Sequence, residues 1–564
     1  MNLRQLVEFL RRQDAGVEVA GDLGALDREV LAVTTRPTEA GPRVALVVEP
    51  ACDPSAVQEA LERGVAAVIV ERPPDQVSAQ FTAQILAQAA PQAFPVVRVT
   101  NSRDAFRGLL EIFYGVAPPR LPLWCVTGPG RTALAFLLHR CLTVWGLPAG
   151  LWADPLDSTS GRGAPEVRGT GFPAGLALFL RDLAERGGQT AILSLRPEDL
   201  AGLDLTGPTL KGLILAGRLP PAAPPLAIAP EALLLPAGRH LPSEMASVFT
   251  FGPGLQADLR YRRLPGPSGA EHHRGQATRR WLAAWSQEIE FTAGPRLLRG
   301  RPDADVTPAV WRIRLATPGP AARRAAAAAT AAALLCGVPP AMVGEALRSF
   351  PGVFRHCQLV HAGSFAVVDD LAHTPREAAA ALAALAEAES LAGQTTGSPR
   401  YRRLHPVCAV AGGLGAVHNL ALGRALARLL PGRRAERLIV TESLHDAPPE
   451  ARVAPEERVS FVAGCRGAGF PLEYYPELED ALSAALRAVR EGDLVLLLGG
   501  PGMNRGQALL EQLIAARGLS ASEPFDEWGA QPWLRPLSLA ELTRRENLPG
   551  CRPGFRNLLP IPPV

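Results

Sequence analysis

The stretch Val126-Thr127-Gly128-Pro129-Gly130-Arg131-Thr132-Ala133 decides the fold of this 564-residue chain. An apolar run from Leu121 to Val126 precedes it, and a helical pattern from Thr132 to Trp145 follows it. The order of strand, glycine-rich turn and helix is that of a phosphate-binding loop, in which backbone N–H groups and a helix N-terminus face an anion. Such a loop places a lysine on the β- and γ-phosphates, and here Arg131 stands at that place. A tight turn without a ligand is the other interpretation of Gly128 to Thr132.

Composition limits the class of protein. Lys211 is the single lysine among 58 basic residues, and this arginine bias, with 54 glycines and 54 prolines, is typical of GC-rich coding. A net charge of +3 is close to neutral for this length and does not predict a nucleic-acid partner. The length predicts three or four domains, and with 47% hydrophobic residues each of them can bury a core.

The cysteines and the apolar runs bear on the compartment. The eight cysteines are scattered without a CxxC pair, which predicts reduced and mostly buried thiols in a cytoplasmic protein. The N-terminus opens an amphipathic helix and does not resemble a signal peptide. No apolar run has the length of a transmembrane helix, so we expect no transmembrane segment. The cysteines are Cys52, Cys125, Cys141, Cys336, Cys357, Cys408, Cys465 and Cys551.

Strands alternate with helices along most of the chain, which predicts three consecutive α/β domains, the third with a mostly parallel sheet. We place them at residues 1–118, 119–350 and 351–518, and a tail rich in proline and tryptophan at residues 519–564. The central domain includes a weakly patterned stretch from Pro220 to Pro242 and an alanine-rich buried helix that ends at Gly337. The strands are predicted at 44–48, 66–70, 96–99, 121–126, 190–193, 213–215, 365–368, 407–410, 438–440 and 494–498.

Several motifs in this order resemble the Mur ligases, and most closely the branch that adds the third peptide residue to UDP-N-acetylmuramoyl-dipeptide. Asp370-Leu371-Ala372-His373-Thr374-Pro375 matches the family's Asp-Tyr-Ala-His-Thr-Pro at five of six positions. Thr34-Thr35-Arg36 is similar to the family's Asp-Ser-Arg segment near the uridine site. Val126-Thr127-Gly128 opens the ATP loop, and Arg355 after Pro351-Gly352 resembles the start of the third domain. The resemblance therefore implies an N-terminal UDP-sugar domain, a central ATPase domain and a C-terminal Rossmann-like domain.

The chain departs from the family at the positions that serve ATP chemistry. The family loop Gly-Thr-Asn-Gly-Lys-Thr loses its lysine and one residue here, at Gly128 to Thr132. The family has a magnesium-binding glutamate in a Glu-Val-Ser-Ser-His segment, and the corresponding strand here continues Ser194-Leu195-Arg196-Pro197. The family's Asp-His after Leu215 is replaced by Ala216-Gly217-Arg218. The carbamylated lysine is missing, since Lys211 comes before that strand. The adenine-contacting asparagines would fall near Ala321 and Arg324, and the amino-acid-selecting Asp-Asn-Pro-Arg reads Ser443-Leu444-His445-Asp446.

Most of the candidate site residues therefore have two interpretations. Gly128, Gly130, Arg131 and Thr132 form a degenerate phosphate loop or a plain turn. Arg355, Asp370 and His373 contact nucleotide or substrate in the third domain, as the resemblance implies. Asp370 and His373 could instead form a domain-interface network, with Thr374 as a helix cap. Thr34, Thr35 and Arg36 bind a UDP-sugar, or Arg36 and Arg103 are simply solvated. No metal-ligating set is predicted.

Three functional hypotheses follow. The first is a Mur-ligase-like pseudoenzyme with a regulatory or scaffolding role in peptidoglycan synthesis, whose partners would be UDP-MurNAc-peptide, an active Mur ligase or other cell-wall synthesis proteins. The second is a divergent ligase that joins an amino acid to UDP-MurNAc-dipeptide through an acyl phosphate and requires ATP and Mg²⁺. The third is a UDP-sugar-binding sensor. The tail is expected to cover its tryptophans by wrapping residues 519–537 against the third domain.

Overall fold

The computed structural model of the protein describes residues 1–21, 23–35, 40–48, 54–72, 94–114, 121–153, 174–196, 200, 209–216, 231–237, 247–264, 281, 285–298, 308–350, 352–353, 355–396, 401–447 and 451–518. In these ranges the strands form three separate sheets of five, nine and six strands, each with helices packed on it. The predicted class of three consecutive α/β units is thus confirmed. The boundary near residue 118 stays a prediction, because residues 115–120 lie outside the described residues, as do Arg36, Pro351 and the tail.

The N-terminal unit is built on a five-stranded sheet in the order β1-β5-β4-β3-β2, in which only β1 runs antiparallel to its neighbour. Its first helix begins at a capping box, because Asn2 and Gln5 exchange hydrogen bonds between side chain and backbone. The elements are α1 Leu3–Gln13, β1 Glu18–Ala20, a 3-10 helix Leu23–Asp27, β2 Ala32–Thr34, β3 Val44–Val48, α2 Pro54–Glu62, β4 Ala67–Glu71, β5 Val96–Val99 and α3 Ser102–Tyr114.

The central unit has a nine-stranded sheet in the order β14-β13-β12-β11-β10-β9-β6-β8-β7. Strands β6 to β12 are parallel, and β13 and β14 are antiparallel additions at one edge. The elements are β6 Pro122–Thr127, α4 Arg131–Trp145, β7 Ala149–Ala153, α5 Ala174–Glu185, β8 Thr190–Ser194, β9 Thr209–Leu215, β10 Ala232–Pro236, β11 Ser247–Gly252, β12 Leu259–Arg263, β13 Gln287–Ala293, α6 Pro295–Leu298, β14 Ala309–Leu315, α7 Pro320–Leu335 and α8 Pro340–Arg348.

The alanine-rich helix α7 lies in the core of the central unit, as predicted, and its residues from Ala325 to Leu334 are buried. Alanine favours the helix and lets α7 approach its neighbours closely. The helix ends where predicted, because Gly337 takes φ +89° and donates its N–H to Leu334 O. The weakly patterned stretch from Pro220 to Pro242 contains strand β10, whose pairing with β9 and β11 no local pattern indicates.

The third unit has a six-stranded sheet in the order β15-β16-β20-β17-β18-β19, parallel except for β15, which confirms the predicted parallel sheet. The carboxyl ends of its parallel strands lie at one edge, where ligands bind in sheets of this kind. The elements are β15 Gln358–Ala362, β16 Ala366–Asp370, α9 Pro375–Thr396, β17 Leu404–Ala409, α10 Ala416–Leu429, a 3-10 helix Pro431–Arg433, β18 Leu438–Thr441, α11 Pro455–Gly467, β19 Leu472–Tyr475, α12 Leu478–Ala488, β20 Leu494–Leu498, a 3-10 helix Pro501–Met503 and α13 Gly506–Ala516.

The cysteines of the described ranges are free thiols, and burial raises the pKa of Cys141 and Cys465 to about 12. Cys52 and Cys551 lie outside these ranges. None of the helices described has both the length and the apolarity needed to cross a membrane.

Candidate functional site

The glycine-rich loop of the central unit joins β6 to α4, as predicted, but it closes on itself. Gly128 and Gly130 take φ +95° and +77°, a conformation that favours glycine. The Arg131 N–H donates to Gly128 O at 3.2 Å, which completes a four-residue turn. Pro129 has no N–H to offer. Two of the backbone donors that a phosphate loop needs are therefore absent or already used.

The described side chains beside this loop carry hydroxyl groups and not the carboxylates that Mg²⁺ prefers. Thr132 is buried in the first turn of α4. Thr127 and Ser194 are buried at the carboxyl ends of β6 and β8, and among the described residues their hydroxyl oxygens have no hydrogen-bond partner. Ser194 is followed by the buried apolar Leu195, in the segment that corresponds to the family's magnesium-binding Glu-Val-Ser-Ser-His. Mg²⁺ needs hard oxygen ligands, usually with one or two carboxylates, and among the described residues at this edge Thr127, Thr132 and Ser194 offer hydroxyl groups only.

The only lysine of the chain, Lys211, forms an ion pair on the central sheet and does not lie in the glycine-rich loop. Lys211 lies within β9, which begins earlier than predicted, and its ammonium group lies 2.8 Å from the carboxylate of Glu231. Both side chains are about half exposed, so the pair is a surface ion pair of small energetic weight. Ala216 follows β9 as expected, and residues 217–219 lie outside the described residues.

Arg355 of the third unit is buried, and each nitrogen of its guanidinium group forms a hydrogen bond. Its side chain is fully buried, and its Nε lies 3.1 Å from both carboxylate oxygens of Asp369. Its two terminal nitrogens donate to Gly500 O at 3.0 Å, Asn504 Oδ1 at 2.6 Å and Gly499 O at 2.5 Å. Burial raises the pKa of Asp369, and Arg355 opposes that rise. Arg355 thus joins the start of the unit to the loop after β20, in a place closed to ligands in this conformation.

Asp370 and His373 lie where β16 ends and α9 begins. The carboxylate of Asp370 accepts the N–H groups of Cys357 and Ala372 at 2.8 and 2.9 Å, and burial raises its pKa. His373 is partly exposed, with Nδ1 3.3 Å from Leu371 O, and its carbonyl oxygen lies 2.7 Å from Nε2 of His418. These contacts all lie within the third unit, so they organise one edge of its sheet and not a boundary between domains.

Thr374 caps α9, as the sequence suggests. The N–H of Glu377 donates to Thr374 Oγ1 at 3.2 Å, and Glu377 Oε2 accepts the N–H groups of His373 and Thr374 at 3.2 and 3.1 Å. This is a capping box. The strongest sequence motif of the chain therefore has a complete local structural role.

A second glycine-rich loop, at the same edge, already holds an anion from the chain itself. The loop from Gly412 to Gly415 leads into α10, and its Gly413 and Gly415 N–H groups donate to the Glu457 carboxylate at 3.2 and 2.6 Å. Glu457 also accepts from Ala454 N at 2.9 Å, at the start of α11. Burial raises the pKa of Glu457, but the backbone donors of Ala454, Gly415, Gly413 and Leu414 outweigh it and leave the pKa lowered. The sequence analysis missed this site, because Glu457 is distant along the chain.

The segment from Ser443 to Asp446, which the resemblance places at the amino-acid substrate, is bound to its own unit. Asp446 accepts from Arg505 at 2.5 Å, and His445 Nδ1 lies 2.6 Å from Glu477. Ser443 is buried with φ +51°, a strained conformation for a residue other than glycine. Neither acidic nor basic groups of this segment are left unengaged for a substrate.

The candidate residues of the N-terminal unit are only partly described. Thr34 is buried at the end of β2, Thr35 is half-buried, and Arg36 lies outside the described residues. Their binding of a UDP-sugar stays a prediction. Across the ranges described, no three His, Cys, Asp or Glu side chains are placed to hold a metal ion.

Comparisons with known proteins bear on the third unit most directly. Residues 356–500 match the family model described as Mur ligase, glutamate ligase domain. No curated protein matches the chain significantly.

Solved Mur ligase structures align with most of the chain at low identity. One is the UDP-N-acetylmuramoylalanyl-D-glutamyl-2,6-diaminopimelate–D-alanyl-D-alanyl ligase of Acinetobacter baumannii, at 14% identity and a TM-score of 0.48, covering 90% of this chain and 98% of that one. Another is the UDP-N-acetylmuramate-alanine ligase of Thermotoga maritima, at 14% identity and a TM-score of 0.47, covering 86% and 99%. The family match confirms the resemblance to the Mur ligases at residues 356–500, which correspond to a Mur ligase C-terminal domain, whereas the branch that adds the third peptide residue stays a prediction.

Proposed function

We propose that this protein is a Mur-ligase-like pseudoenzyme linked to peptidoglycan synthesis, with a regulatory or scaffolding role and without ligase chemistry. The observation that carries the proposal is the loop from Gly128 to Thr132, which lacks the lysine and closes on itself through the Arg131 N–H. The Mur ligase domain at residues 356–500 supports the link to this family.

The chemistry of phosphoryl transfer explains why the loop from Gly128 to Thr132 is central to this proposal. Formation of an acyl phosphate transfers a phosphoryl group, and catalysis of that step consists of positioning and charge neutralisation by lysine, backbone N–H groups and Mg²⁺. Arg131 supplies a positive charge, but its larger planar fork does not replace a lysine at a phosphate. The segment Ser194-Leu195-Arg196-Pro197 also lacks the carboxylate that the family uses as a magnesium ligand. Several losses in one site have no compensation among the described residues.

The third unit supports the same proposal. Arg355 is fully buried and bonded, and the Gly412–Gly415 loop is filled by Glu457. The groups with which such a domain could meet nucleotide or substrate are thus engaged in stabilising the domain. We infer that the protein uses the surface of this fold to bind another protein, and that this partner takes part in cell-wall synthesis.

Calorimetry with Mg-ATP tests the proposal. We expect a dissociation constant above about 1 mM, which corresponds to less than roughly 4 kcal/mol of binding. The variant Arg131→Lys restores the missing side chain and should still bind weakly, because the turn and the missing carboxylate are unchanged. Micromolar binding of Mg-ATP to the natural chain would overturn the proposal.

A divergent ligase is the second candidate, and the placement of Arg131 and Thr132 at the N-terminus of α4 favours it. There a positive charge, a hydroxyl and the helix dipole lie together. In that case the protein would release ADP when given UDP-MurNAc-dipeptide, an amino acid and Mg-ATP. Absence of ADP release, together with capture of a cell-wall synthesis protein, would favour the scaffold over the ligase.

A further inference from the structure

Two tryptophans of the central range are buried in the core of the third unit. Trp281 and Trp285 lie between β12 and β13, yet they are 3% and 4% exposed and pack among the apolar residues of β15 and α9. The Trp285 N–H donates to Trp281 O at 2.9 Å, so the backbones of these two residues are held close together.

The polar ends of these indoles are also bonded across the units. Trp281 Nε1 donates to Gly363 O at 3.1 Å, and Trp285 Nε1 donates to Cys357 O at 3.0 Å. A buried indole needs such a partner for its N–H, and each ring buries a large apolar area. The two side chains therefore behave as core residues of a domain that their own sheet does not belong to.

A carboxylate of the third unit, that of Glu387, also bonds to side chains of the central unit at this boundary. Glu387 on α9 accepts a hydrogen bond from Arg263 of β12 at 3.0 Å, and it is also bonded by Arg323 of α7. These three side chains are largely buried, so water and salt screen them less than a surface pair. Arg323 also donates to Gln287 Oε1 at 2.6 Å, which ties the group to β13.

The backbones approach closely at the same boundary. Gly319, which precedes α7, has φ +99°, and a Cβ atom there would lie 2.8 Å from the Cβ of Ala384 on α9. Gln287 Nε2 donates to Thr317 O at 2.6 Å and so fixes this turn. No side chain larger than hydrogen fits at residue 319 without a shift of α9.

We propose that Trp281, Trp285 and Glu387 form an interdomain clasp that makes the central and third units one cooperative body, in which the third unit does not turn independently of the central sheet. Interfaces within a chain usually permit relative domain motion unless they are large and hydrophobic. Here two core tryptophans cross the boundary, and a buried carboxylate receives arginines from two different central elements. The inference does not depend on the proposed function, because it rests only on contacts between the two units.

Hydrogen exchange in a urea series on the full chain tests the clasp. In the natural protein, peptides from β6–β11 and from β16–β20 should become unprotected at one common urea concentration. In the double variant Trp281→Ala/Trp285→Ala these concentrations should separate by about 1 M or more. Glu387→Gln should separate them in the same direction by less.

The chain offers a matched control. Glu290 accepts from Arg262 at 2.5 Å and Arg312 at 2.9 Å, as Glu387 accepts from two arginines, but all three of its members belong to the central sheet. Glu290→Gln should leave the two sets of peptides in step.

If the double alanine variant does not fold, Trp281→Phe/Trp285→Phe keeps an aromatic ring at each position and removes the N–H donor together with the five-membered ring of each indole. With Glu387→Gln, it then decides the question. Two separate transitions in the natural protein, or a common transition retained in every clasp variant, would overturn the proposal.

Discussion

The buried pair of Arg355 and Asp369 gives the sharpest test of how the third unit is stabilised. Replacing Arg355 by methionine keeps most of the side-chain volume and removes the charge and the five donors of the guanidinium group. Asp369, which is 1% exposed, would be left as a buried carboxylate without a counter-charge, and Gly499 O, Gly500 O and Asn504 Oδ1 would each lose a donor.

The expected loss follows from this geometry. Removing one member of a buried ion pair costs about 3–5 kcal/mol, because the remaining charge stays desolvated. Arg355→Lys keeps the charge but cannot form the fork, so its cost should be intermediate. The double variant Arg355→Met/Asp369→Leu removes both charges and should recover much of the stability that the single variant loses.

Urea denaturation of the full chain at pH 7, followed by exchange of third-unit peptides, measures these differences. The control is Arg4→Ala, which breaks a 3.2 Å pair with Asp27 whose side chains are 53% and 73% exposed, and it should cost less than about 1 kcal/mol. A cost of less than about 1 kcal/mol for Arg355→Met would refute the reasoning. Normal stability combined with lost ligand binding would instead favour the role in binding that the family resemblance implies.

Two further predictions concern Glu457 of the third unit and Arg36 of the N-terminal unit. The pKa of Glu457 is lowered in the folded protein, so its contribution is present above the unfolded pKa near 4.5 and is lost as the pH falls through the folded value. Glu457→Gln should therefore destabilise the protein at neutral pH by about 1–3 kcal/mol and reduce the loss of stability towards acid pH, whereas the exposed neighbour Glu456→Gln should change neither in a denaturation series across pH. In the N-terminal unit, Arg36→Ala should weaken UDP-sugar binding roughly ten- to a hundredfold in calorimetry, since a charge-assisted hydrogen bond is worth about 1.5–3 kcal/mol. A natural protein without measurable UDP-sugar affinity would exclude that site.

Local pattern predicted a large part of the fold. The strand β6, the turn at Gly128 and the helix α4 follow from hydrophobic periodicity and glycine, which depend only on neighbouring residues. The cap at Thr374 and the buried alanine helix α7 follow in the same way. Strand β10 and its neighbours β11 to β14 were not predicted, because their pairing depends on partners far along the chain.

For the candidate site as well, the sequence predicted some features and the tertiary structure decided others. The loss of the phosphate-loop lysine is a property of the sequence, since only Lys211 is available and β9 holds it elsewhere. Whether the remaining residues could still bind an anion depended on hydrogen bonds that no motif contains. The closure of Arg131 N–H onto Gly128 O is one of them, and the saturation of Arg355 is another.

By itself, the sequence determined the α/β class, the order of the three units, the family of the third one and the absence of the loop lysine. These depend on residue identity and on periodicities of two and 3.6 residues, which can be read along the chain. Only the tertiary structure decided that Glu457 fills the second glycine-rich loop and that Trp281 and Trp285 complete the core of a neighbouring unit. The physical reason is that a buried carboxylate or indole is stabilised by hydrogen-bond donors and apolar surface that only the folded chain brings together. Local sequence pattern does not predict contacts between residues that lie far apart along the chain.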